Sequence, residues 1–322
     1  MSEEGFQTAR AELVARAKEK IAKPFTLSEE LTFFCPQENL EALALPVVSR
    51  FHDWARERWQ PGARGPAVLL LLACQRQKPY TLSREHQAVN ARLLRSGFSP
   101  LQRGDWPQEL AAASPPELLS NAPLFGGGLQ IDRAVISEPF GLVPYEAIYR
   151  WEGEPSPCAR YDDPGLFEHR GLACPWRDDC TAEPRGRRWV WKEAERKAYV
   201  EVHNRLAEQI AATLQRVAAR YERIFAYVAP SLTHRTFLAD SRERAQAGLP
   251  SARRTGGGRR GGLVGVGDLS PGLLTLVPSG AEIEEIRDRH KGRVPPGVLE
   301  SAECLSLLAG RIKSVVQDKS SE

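Results

Sequence analysis

The chain has 322 residues, enough to bury a sizeable core as one large domain or two of ordinary size. Its 42% hydrophobic and 26% charged residues are ordinary globular values, and a net charge of +3 is too small for a global basic field that would announce nucleic acid. No apolar run approaches the roughly 20 residues of a membrane helix, and six cysteines are too sparse for a disulfide scaffold, so we expect a cytoplasmic protein without a membrane partner.

The N-terminal part is predicted to be helical. Residues 6–22 read as an amphipathic helix rather than a signal peptide, and residues 38–57 also have apolar residues at helical spacing. Pro46 is expected to kink or divide the second helix. We assign residues 1–64 to a helical N-terminal segment.

Strand-like runs and helical patterns then alternate. The runs at residues 67–73, 131–137 and 223–228 are separated by helices predicted over about 83–96 and 192–221. This order predicts an α/β fold with a mainly parallel sheet flanked by helices, and with helical additions at both ends. We assign residues 65–240 to the α/β core, and residues 241–322 to a basic Gly/Arg loop and a C-terminal helical region that includes a helix near 298–317.

Each predicted strand ends in a polar or turn-forming motif. The three motifs are CQRQKPYTLS, ISEPFGLVPYE and APSLTHRTFLAD. In parallel sheets, ligands bind in the crevice outside the carboxyl ends of the strands, so we expect the three motifs to converge at one edge. The residues brought together there would be Cys74, Lys78, Ser137, Glu138, Ser231, His234 and Asp240.

The first two motifs resemble the core domain of the archaeosine synthase family, over roughly residues 65–240. The matching or nearly matching positions are Cys74, Lys78, Pro79, Tyr80 and Thr81 in the first motif, and Pro139, Gly141, Leu142, Val143, Pro144 and Glu146 in the second. The resemblance implies action on the nitrile of 7-cyano-7-deazaguanine in tRNA, to which those enzymes add an amine-bearing group. Ala73, Gln75 and Glu138 depart from the family pattern, and we expect no appended tRNA-binding domain of the usual kind.

These departures fit a second resemblance better. The chain is similar to the nitrile-processing protein of bacterial 7-deazaguanine DNA-modification clusters, which is related to the same core. This resemblance implies that the substrate is DNA carrying 7-cyano-7-deazaguanine, that the nitrile is hydrated to the amide, and that companion modification proteins are partners. Amine addition to the nitrile in tRNA remains the alternative.

The chemistry of a nitrile favours a sulfur nucleophile. Attack by a thiolate gives a thioimidate and divides one difficult step into two easier ones, so Cys74 is the candidate nucleophile. Arg76, Lys78 and the start of the helix near Ser83 would favour the thiolate. The proton for the nitrile nitrogen would come from Lys78, Glu138 or His234. The alternative is that Cys74 is a small buried residue that closes a strand.

Other residues of the motifs have two interpretations each. His234 and Asp240 could be a base and its orienting carboxylate, or ordinary loop residues. Glu138 could be an acid or bind the exocyclic amine of the base, or it could cap a turn. Tyr80 could stack against the base or seal the strand end. The residues assigned to substrate binding from these motifs are Tyr80, Ser137, Gly141 and Ser231.

A Cys/His-containing loop lies at residues 158–180. It offers four ligands of the type that a closed zinc site uses, namely Cys158, His169, Cys174 and Cys180. Their spacing is not a standard zinc spacing, and reduced loop cysteines are the alternative. Zinc here would be structural, because four protein ligands leave no open position for water, and it would order a stretch that is poor in periodic apolar residues.

A basic segment, SARRTGGGRRGG, occupies residues 251–262. Its arginines, Arg253, Arg254, Arg259 and Arg260, could contact phosphates without reading sequence. A disordered surface loop is the alternative. GGLVGVGDLS lacks the Lys and Ser/Thr of a P-loop, so no ATP is implied, and no nicotinamide cofactor is implied either.

Three functional classes remain open. The chain could be an enzyme that modifies a nitrile in nucleic acid, a non-catalytic nucleic-acid-binding module with the same fold, or an enzyme acting on a free base or nucleoside. An enzyme should place Cys74 in a pocket beside ionisable groups, whereas a binding module needs only a basic face.

Overall fold

A computed structural model describes residues 3–62, 65–230 and 233–319. The helices in these ranges are α1 (Glu3–Lys18), α2 (Pro36–Ala42), α3 (Pro46–Asp53), α4 (Arg84–Arg95), α5 (Pro116–Leu119), α6 (Glu193–Val217), α7 (Thr233–Leu238), α8 (Ser241–Gln246), α9 (Val266–Leu269), α10 (Gly280–Arg289) and α11 (Ala302–Lys319). The strands are β1 (Ala67–Ala73), β2 (Ser99–Pro100), β3 (Leu124–Gly126), β4 (Leu129–Ser137), β5 (Gly141–Pro144), β6 (Arg150–Trp151), β7 (Glu154–Pro155), β8 (Glu183–Arg185), β9 (Arg188–Val190), β10 (Arg223–Tyr227), β11 (Ala252–Gly256), β12 (Arg259–Gly262) and β13 (Thr275–Val277).

The central sheet is mainly parallel. Its strand order is β13-β10-β1-β4-β3-β2, and β5 also pairs with β4. The four strands from β13 to β4 are parallel, while β5, β3 and β2 are antiparallel additions. This confirms the predicted α/β class.

Strand β1 lies in the middle of the parallel part and is buried on both faces. Its side chains alternate between two core layers, with Leu70 and Leu72 in one and Leu69 and Leu71 in the other. All seven residues of the strand are buried, as a sheet covered by helices on both faces requires. The apolar run therefore becomes the centre of the molecule.

The long helix α6 covers one face of the sheet. Its buried side chains recur at three- and four-residue steps, including Val202, Leu206, Ile210 and Leu214, and they pack in the layer of Leu69. The opposite face is covered by α4 and α11, which pack against each other. Ser83 caps α4 by accepting a hydrogen bond from the His86 amide at 3.3 Å, which helps to set where that helix begins.

Several predicted bounds differ from the observed ones. The helix predicted over 38–57 is divided at Pro46, as expected, into α2 and α3, and α3 continues into a π-helical turn at Trp54–Arg58. The basic segment predicted as a loop is instead a hairpin of β11 and β12. Its glycines supply the turn, where Gly257 and Gly258 have positive φ angles.

The division of the chain at residue 240 does not separate two packed units. Strand β13 and helix α11 both lie beyond that boundary, yet β13 pairs with β10 in the central sheet. Leu305 and Leu308 of α11 belong to the same core cluster as Leu70. The C-terminal segment is therefore part of the core fold.

None of the helices in the described ranges has the length and apolarity needed to cross a bilayer.

Candidate active site

The carboxyl ends of β1, β4 and β10 lie at one rim of the sheet, because the three strands are parallel neighbours. Cys74 directly follows β1, and its amide donates a hydrogen bond to Ile136 of β4 at 2.9 Å. Glu138 follows β4. His234 is the second residue of α7, the helix that comes after β10. The expected convergence of the three chain segments is observed for these residues.

Cys74, Glu138 and His234 form a compact triangle. The Cys74 thiol donates a hydrogen bond to Glu138 Oε2, with the sulfur 3.3 Å from that oxygen. His234 Nε2 lies 3.2 Å from Cys74 Sγ and 3.5 Å from Glu138 Oε2. Glu138 and His234 are buried, whereas Cys74 is half-buried. The cysteine is therefore the member of the triangle that a reactant reaches first.

Glu138 and His234 stabilise each other's charged forms. Burial alone would lower the pKa of His234, but the charges of Glu138 and Cys74 outweigh it and hold this pKa well above its usual value. Burial would likewise raise the pKa of Glu138, and the His234 charge overcomes it so that the pKa is lowered. A carboxylate beside an imidazolium is thus the favoured state at neutral pH.

Both ionised side chains also have a free polar atom. Among the described residues, neither Glu138 Oε1 nor His234 Nδ1 has a hydrogen-bond partner, although both atoms are buried. Leaving such atoms unsatisfied is costly, and they cluster at sites that bind something. No carboxylate among the described residues therefore orients His234 from the far side of its ring.

The pairing of His234 with Asp240 predicted from the sequence is wrong. Asp240 caps α8, where its carboxylate accepts a hydrogen bond from the Glu243 amide at 2.7 Å. The carboxylate beside His234 is Glu138 instead, and it contacts the same ring nitrogen that faces the cysteine. This differs from a relay in which base and orienting carboxylate use opposite ring nitrogens.

Lys78 lies beneath the rim and is almost completely buried. Its ammonium donates a hydrogen bond to the Gln75 carbonyl and lies 4.4 Å from the centre of the Tyr161 ring. Burial lowers the pKa of Lys78, with the charges of Cys74 and Asp162 acting in the opposite direction. Lys78 therefore adds a positive charge close to the cysteine, while its contacts fix it in place.

The N-terminal segment holds the backbone of Lys78. The Lys78 amide donates to the Lys20 carbonyl at 2.9 Å, and the Ala22 amide donates to the Lys78 carbonyl at 2.8 Å. The residues after α1 thus form part of the support of the site. Lys20 also pairs with Asp162, which follows Tyr161.

Tyr80 and Ser137 belong to a closed network and do not line a binding surface. The Tyr80 hydroxyl lies 2.9 Å from both Ser137 Oγ and the Tyr161 hydroxyl, and Ser137 Oγ lies 2.6 Å from the latter. The Tyr80 ring is fully buried between His86 and the Lys78 ammonium. Their assignment to substrate binding is therefore corrected: the residues seal and brace the strand ends.

Gly141 and Ser231 are the other two motif residues that the sequence analysis assigned to substrate binding. Gly141 is the first residue of β5, directly after the turn from β4; it has a φ of +69°, and a side chain there would approach Gln209 of α6 at 3.3 Å. Its role is therefore the turn and the close helix contact, which corrects its assignment to substrate binding. Ser231 lies outside the described residues.

The four arginines of the basic hairpin have different surroundings. Arg254, Arg259 and Arg260 are exposed, as phosphate-contacting side chains would be. Arg253 is half-buried, with its guanidinium 3.4 Å from Glu168 and 5.3 Å from the centre of the Tyr199 ring. It faces the body of the protein and not the outer side of the hairpin.

A cleft of about 390 Å³ lies beside this hairpin, and Cys74, Glu138 and His234 are not among its lining residues. Its lining includes Glu168, His169, Tyr199, Thr233 and Arg253. Thr233 directly precedes His234, whose ring lies 6.2 Å from that of Phe167. A larger cavity of about 1080 Å³ is lined by Pro66, which precedes β1, and therefore lies at the opposite end of the sheet from Cys74.

Glu85 is a titratable residue near the rim that the sequence analysis did not single out. Burial raises the pKa of its carboxyl to about 7, and the His234 charge acts in the opposite direction. It lies in the first turn of α4, directly after the KPYTLS motif. Its position at the start of α4 could have identified Glu85 from the sequence, because this end of the helix is directed toward the same rim as Cys74.

The four predicted zinc ligands do not form one site. Cys158 is fully buried in the core layer of Tyr80 and Tyr161, where burial raises the pKa of its thiol. His169 lines the exposed cleft described above. Cys174 packs in a different, small cluster with Cys35. The prediction fails because the loop crosses from one core layer to another, which its composition did not reveal.

Within the described ranges, two groups of side chains could hold a metal ion. One is Cys74, Glu138 and His234, and the other is Cys35, Glu38 and Cys174. The ligand atoms of each group lie within 4.8 Å of one another. Cys180 is half-buried, and burial raises the pKa of its thiol to about 11, with smaller contributions in the same direction from Glu195 and Cys35.

Comparison of the chain with protein-family models, with curated proteins and with solved structures finds no match.

Proposed function

We propose that the chain is an enzyme that hydrates the nitrile of 7-cyano-7-deazaguanine in nucleic acid to the amide, with DNA as the polynucleotide. The observation that carries the proposal is the triangle of Cys74, Glu138 and His234 at the carboxyl edge of the parallel sheet. It supplies a nucleophile, a base and an acid within 3.5 Å of one another. The motif resemblance supports the choice of nitrile.

The first step would form the bond between sulfur and the nitrile carbon. Glu138 already accepts the hydrogen bond of the Cys74 thiol, so it would take that proton as sulfur attacks. The electron pair of one C–N bond moves to nitrogen, which takes a proton from His234. The raised pKa of His234 keeps that proton available at neutral pH. The product is a neutral thioimidate.

The second step would add water and release the enzyme. Water adds to the thioimidate carbon, gives one proton to the now neutral His234, and the nitrogen takes the proton held by Glu138. Collapse of this intermediate breaks the carbon–sulfur bond, gives the amide, and returns a proton to the cysteine from the hydroxyl group. The sum is one nitrile plus one water giving one amide, with no other reactant.

The cleft beside Thr233 would receive the extruded base. Enzymes that act on a base inside a duplex extrude it into a pocket, and the 390 Å³ cleft is lined by Thr233, which directly precedes His234. The exposed Arg254, Arg259 and Arg260 lie on the hairpin that also carries the cleft residue Arg253. Glu138 Oε1 is buried and has no hydrogen-bond partner among the described residues, and in the complex it would accept a hydrogen bond from the exocyclic amine of the base.

A second candidate mechanism uses the same three side chains as metal ligands. Cys74, Glu138 and His234 are close enough to hold one ion, and three ligands leave a fourth position for water, as in catalytic zinc sites. An ion held by these three side chains would supply an activated water as the nucleophile for the nitrile carbon. In that case Cys74 forms no bond to the substrate, and chelators abolish activity.

Nucleoside mass spectrometry tests the proposed function. We would incubate the protein with a duplex DNA carrying 7-cyano-7-deazaguanine and with a matched tRNA, digest both, and weigh the nucleosides. The expected result is a gain of one water in the DNA sample, lost with Cys74→Ala and retained with Cys304→Ala, a buried cysteine on α11. No change in either nucleic acid would refute the proposal, and a change in tRNA alone would move it to the alternative substrate.

A further inference from the structure

The second group of metal-ligating side chains lies away from the rim, in a part of the molecule that the proposed chemistry does not use. We propose that Cys35, Glu38 and Cys174 bind a structural zinc ion, with Cys180 as the fourth ligand. The proposal does not depend on the proposed function. It replaces the ligand set predicted from the sequence, of which only Cys174 and Cys180 remain.

The three central ligands are already within range of a common ion. Their ligand atoms lie within 4.8 Å of one another, and Cys35 and Cys174 are buried. A tetrahedral zinc ion with bonds of about 2.0 Å to oxygen and 2.3 Å to sulfur keeps its ligand atoms roughly 3.5–3.8 Å apart. Small side-chain rotations are therefore enough to close the site.

The backbone around Cys35 is fixed before any ion binds. Gly165 packs so closely against this backbone that a side chain at position 165 would meet the Cys35 amide nitrogen at 2.3 Å. The Gly165 amide donates a hydrogen bond to the Phe33 carbonyl. Cys35 directly precedes α2, so Glu38 lies one turn further along the same helix. The Phe34 amide donates to Glu38 Oε2 at 2.6 Å, which orients that carboxylate and leaves Oε1 for the ion.

The loop that carries Cys174 and Cys180 is held against α2 by independent contacts. Arg177 makes two hydrogen bonds to the Glu41 carboxylate, at 2.6 and 2.9 Å. The Arg177 amide donates to the Cys174 carbonyl, and the Cys180 amide donates to the Arg177 carbonyl, so the two cysteines flank one pair of turns. Arg177 therefore ties the segment between the two cysteines to α2.

The chemistry of the site favours zinc. Two or three thiolates are soft ligands that select zinc over magnesium or calcium, and a closed set of four protein ligands is typical of a structural zinc site. The apolar cluster here is small, since its buried members are Val14, Phe34, Cys35 and Cys174. An ion joining α2 to the loop would hold together α1, α2 and residues 174–180, which share few other buried apolar contacts.

Metal analysis of the full chain, purified without chelators from zinc-supplemented cells, tests the proposal. We expect one zinc ion per chain that is lost in Cys35→Ser and Cys174→Ser and retained in the matched control Cys304→Ser. Cys74→Ser should retain this ion as well, which separates it from any metal at the rim. Cys180→Ser should release zinc to a chelator at least about tenfold faster than the wild type, as loss of one ligand weakens the site.

A measurement on the wild-type chain keeps the proposal testable if the variants do not fold. Zinc should protect Cys35 and Cys174 from alkylation, and cobalt loaded in its place should give thiolate-to-metal charge-transfer absorption. A zinc-free wild-type protein with both thiols freely reactive, or with Cys35 and Cys174 joined in a disulfide, would overturn it. Retention of full zinc content in Cys35→Ser would do the same.

Discussion

His234 and Glu138 are a buried pair in which each charge depends on the other. The pKa of His234 is raised above its unfolded value near 6.5, so its contribution to stability is complete below that pH and is lost as pH rises through the folded pKa. The pKa of Glu138 is lowered, so its contribution is present above its unfolded value near 4.5 and is lost as pH falls through the folded pKa. The pair is therefore intact across neutral pH.

Replacing Glu138 by Gln should slow the reaction, because the base that takes the Cys74 proton is lost, and should also move the alkaline limit of the remaining activity. Without the carboxylate, burial becomes the dominant influence on His234 and its pKa falls, so the proton for the nitrile nitrogen is lost at lower pH. We expect the alkaline limb of the rate profile to shift down by about 1–3 pH units, the range that a nearby carboxylate produces. Rates of nitrile hydration between pH 5 and 10 would measure this. An unshifted alkaline limb would show that His234 is not the proton donor.

The closeness of three residues was predictable because of where parallel strands end. Cys74, Glu138 and His234 each follow a strand of the sheet, and the prediction needed only that those strands be neighbours. Asp240 also follows β10 but turns to cap α8. The signal was present in the sequence, since Asp240 is followed three residues later by Glu243, a pattern typical of a helix start.

The hairpin of β11 and β12 is the element that would hold the polynucleotide. Arg254, Arg259 and Arg260 are exposed, whereas Arg253 is held by Glu168. Replacing the three exposed arginines by Ala should weaken DNA binding at all sequences. It should also reduce the slope of log affinity against log salt by up to about 3, because binding releases fewer counterions when fewer phosphates are contacted. Thermal stability should not change.

Salt-dependent binding curves of the triple variant would measure that slope. The matched control is a triple Ala variant of the exposed arginines Arg58, Arg84 and Arg95, which lie outside the hairpin. If both variants lose affinity equally, the attraction is diffuse and not localised to the hairpin. An unchanged slope in the first variant would remove these arginines from the interface.

The sequence misjudged this element because composition does not distinguish a Gly-rich hairpin from a flexible linker. The arginines and glycines show no apolar alternation, and register is set instead by the turn and by packing against α6. The apolar run of β1 is the opposite case. Seven consecutive buried residues leave no other element that could accommodate them, so the strand was predicted with its observed bounds.

At the scale of the whole molecule, the segment after residue 240 is continuous with the core. Leu308 of α11 is fully buried in the same cluster as Leu70 of β1. Replacing Leu308 by Ala should lower the free energy of unfolding by about 2–5 kcal/mol. It should also lower the denaturant midpoint of a single unfolding transition that involves the entire chain. The control Leu101→Ala, at a side chain that is 50% exposed, should change it by no more than about 0.5 kcal/mol.

Denaturant unfolding followed by both fluorescence and circular dichroism would measure these effects. Two separated transitions, with only one shifted by Leu308→Ala, would contradict the continuous core and restore the boundary at residue 240. That boundary was drawn where composition changes, but β13 is only three residues long and carries no strand signal of its own. The proximity of Cys35 to Cys174 was equally out of reach, since it depends on how the long loop returns to α2.

The central chemical claim is that Cys74 attacks the nitrile carbon, and trapping of the covalent intermediate tests it most directly. The protein would be mixed with DNA carrying 7-cyano-7-deazaguanine, quenched during turnover, treated with nuclease, and analysed by intact mass and peptide mapping. We predict an adduct on the peptide that contains Cys74, present with Cys304→Ala and absent with Cys74→Ala. Turnover of the nitrile at the wild-type rate by Cys74→Ala, with no adduct at any time in the wild type, would contradict the claim.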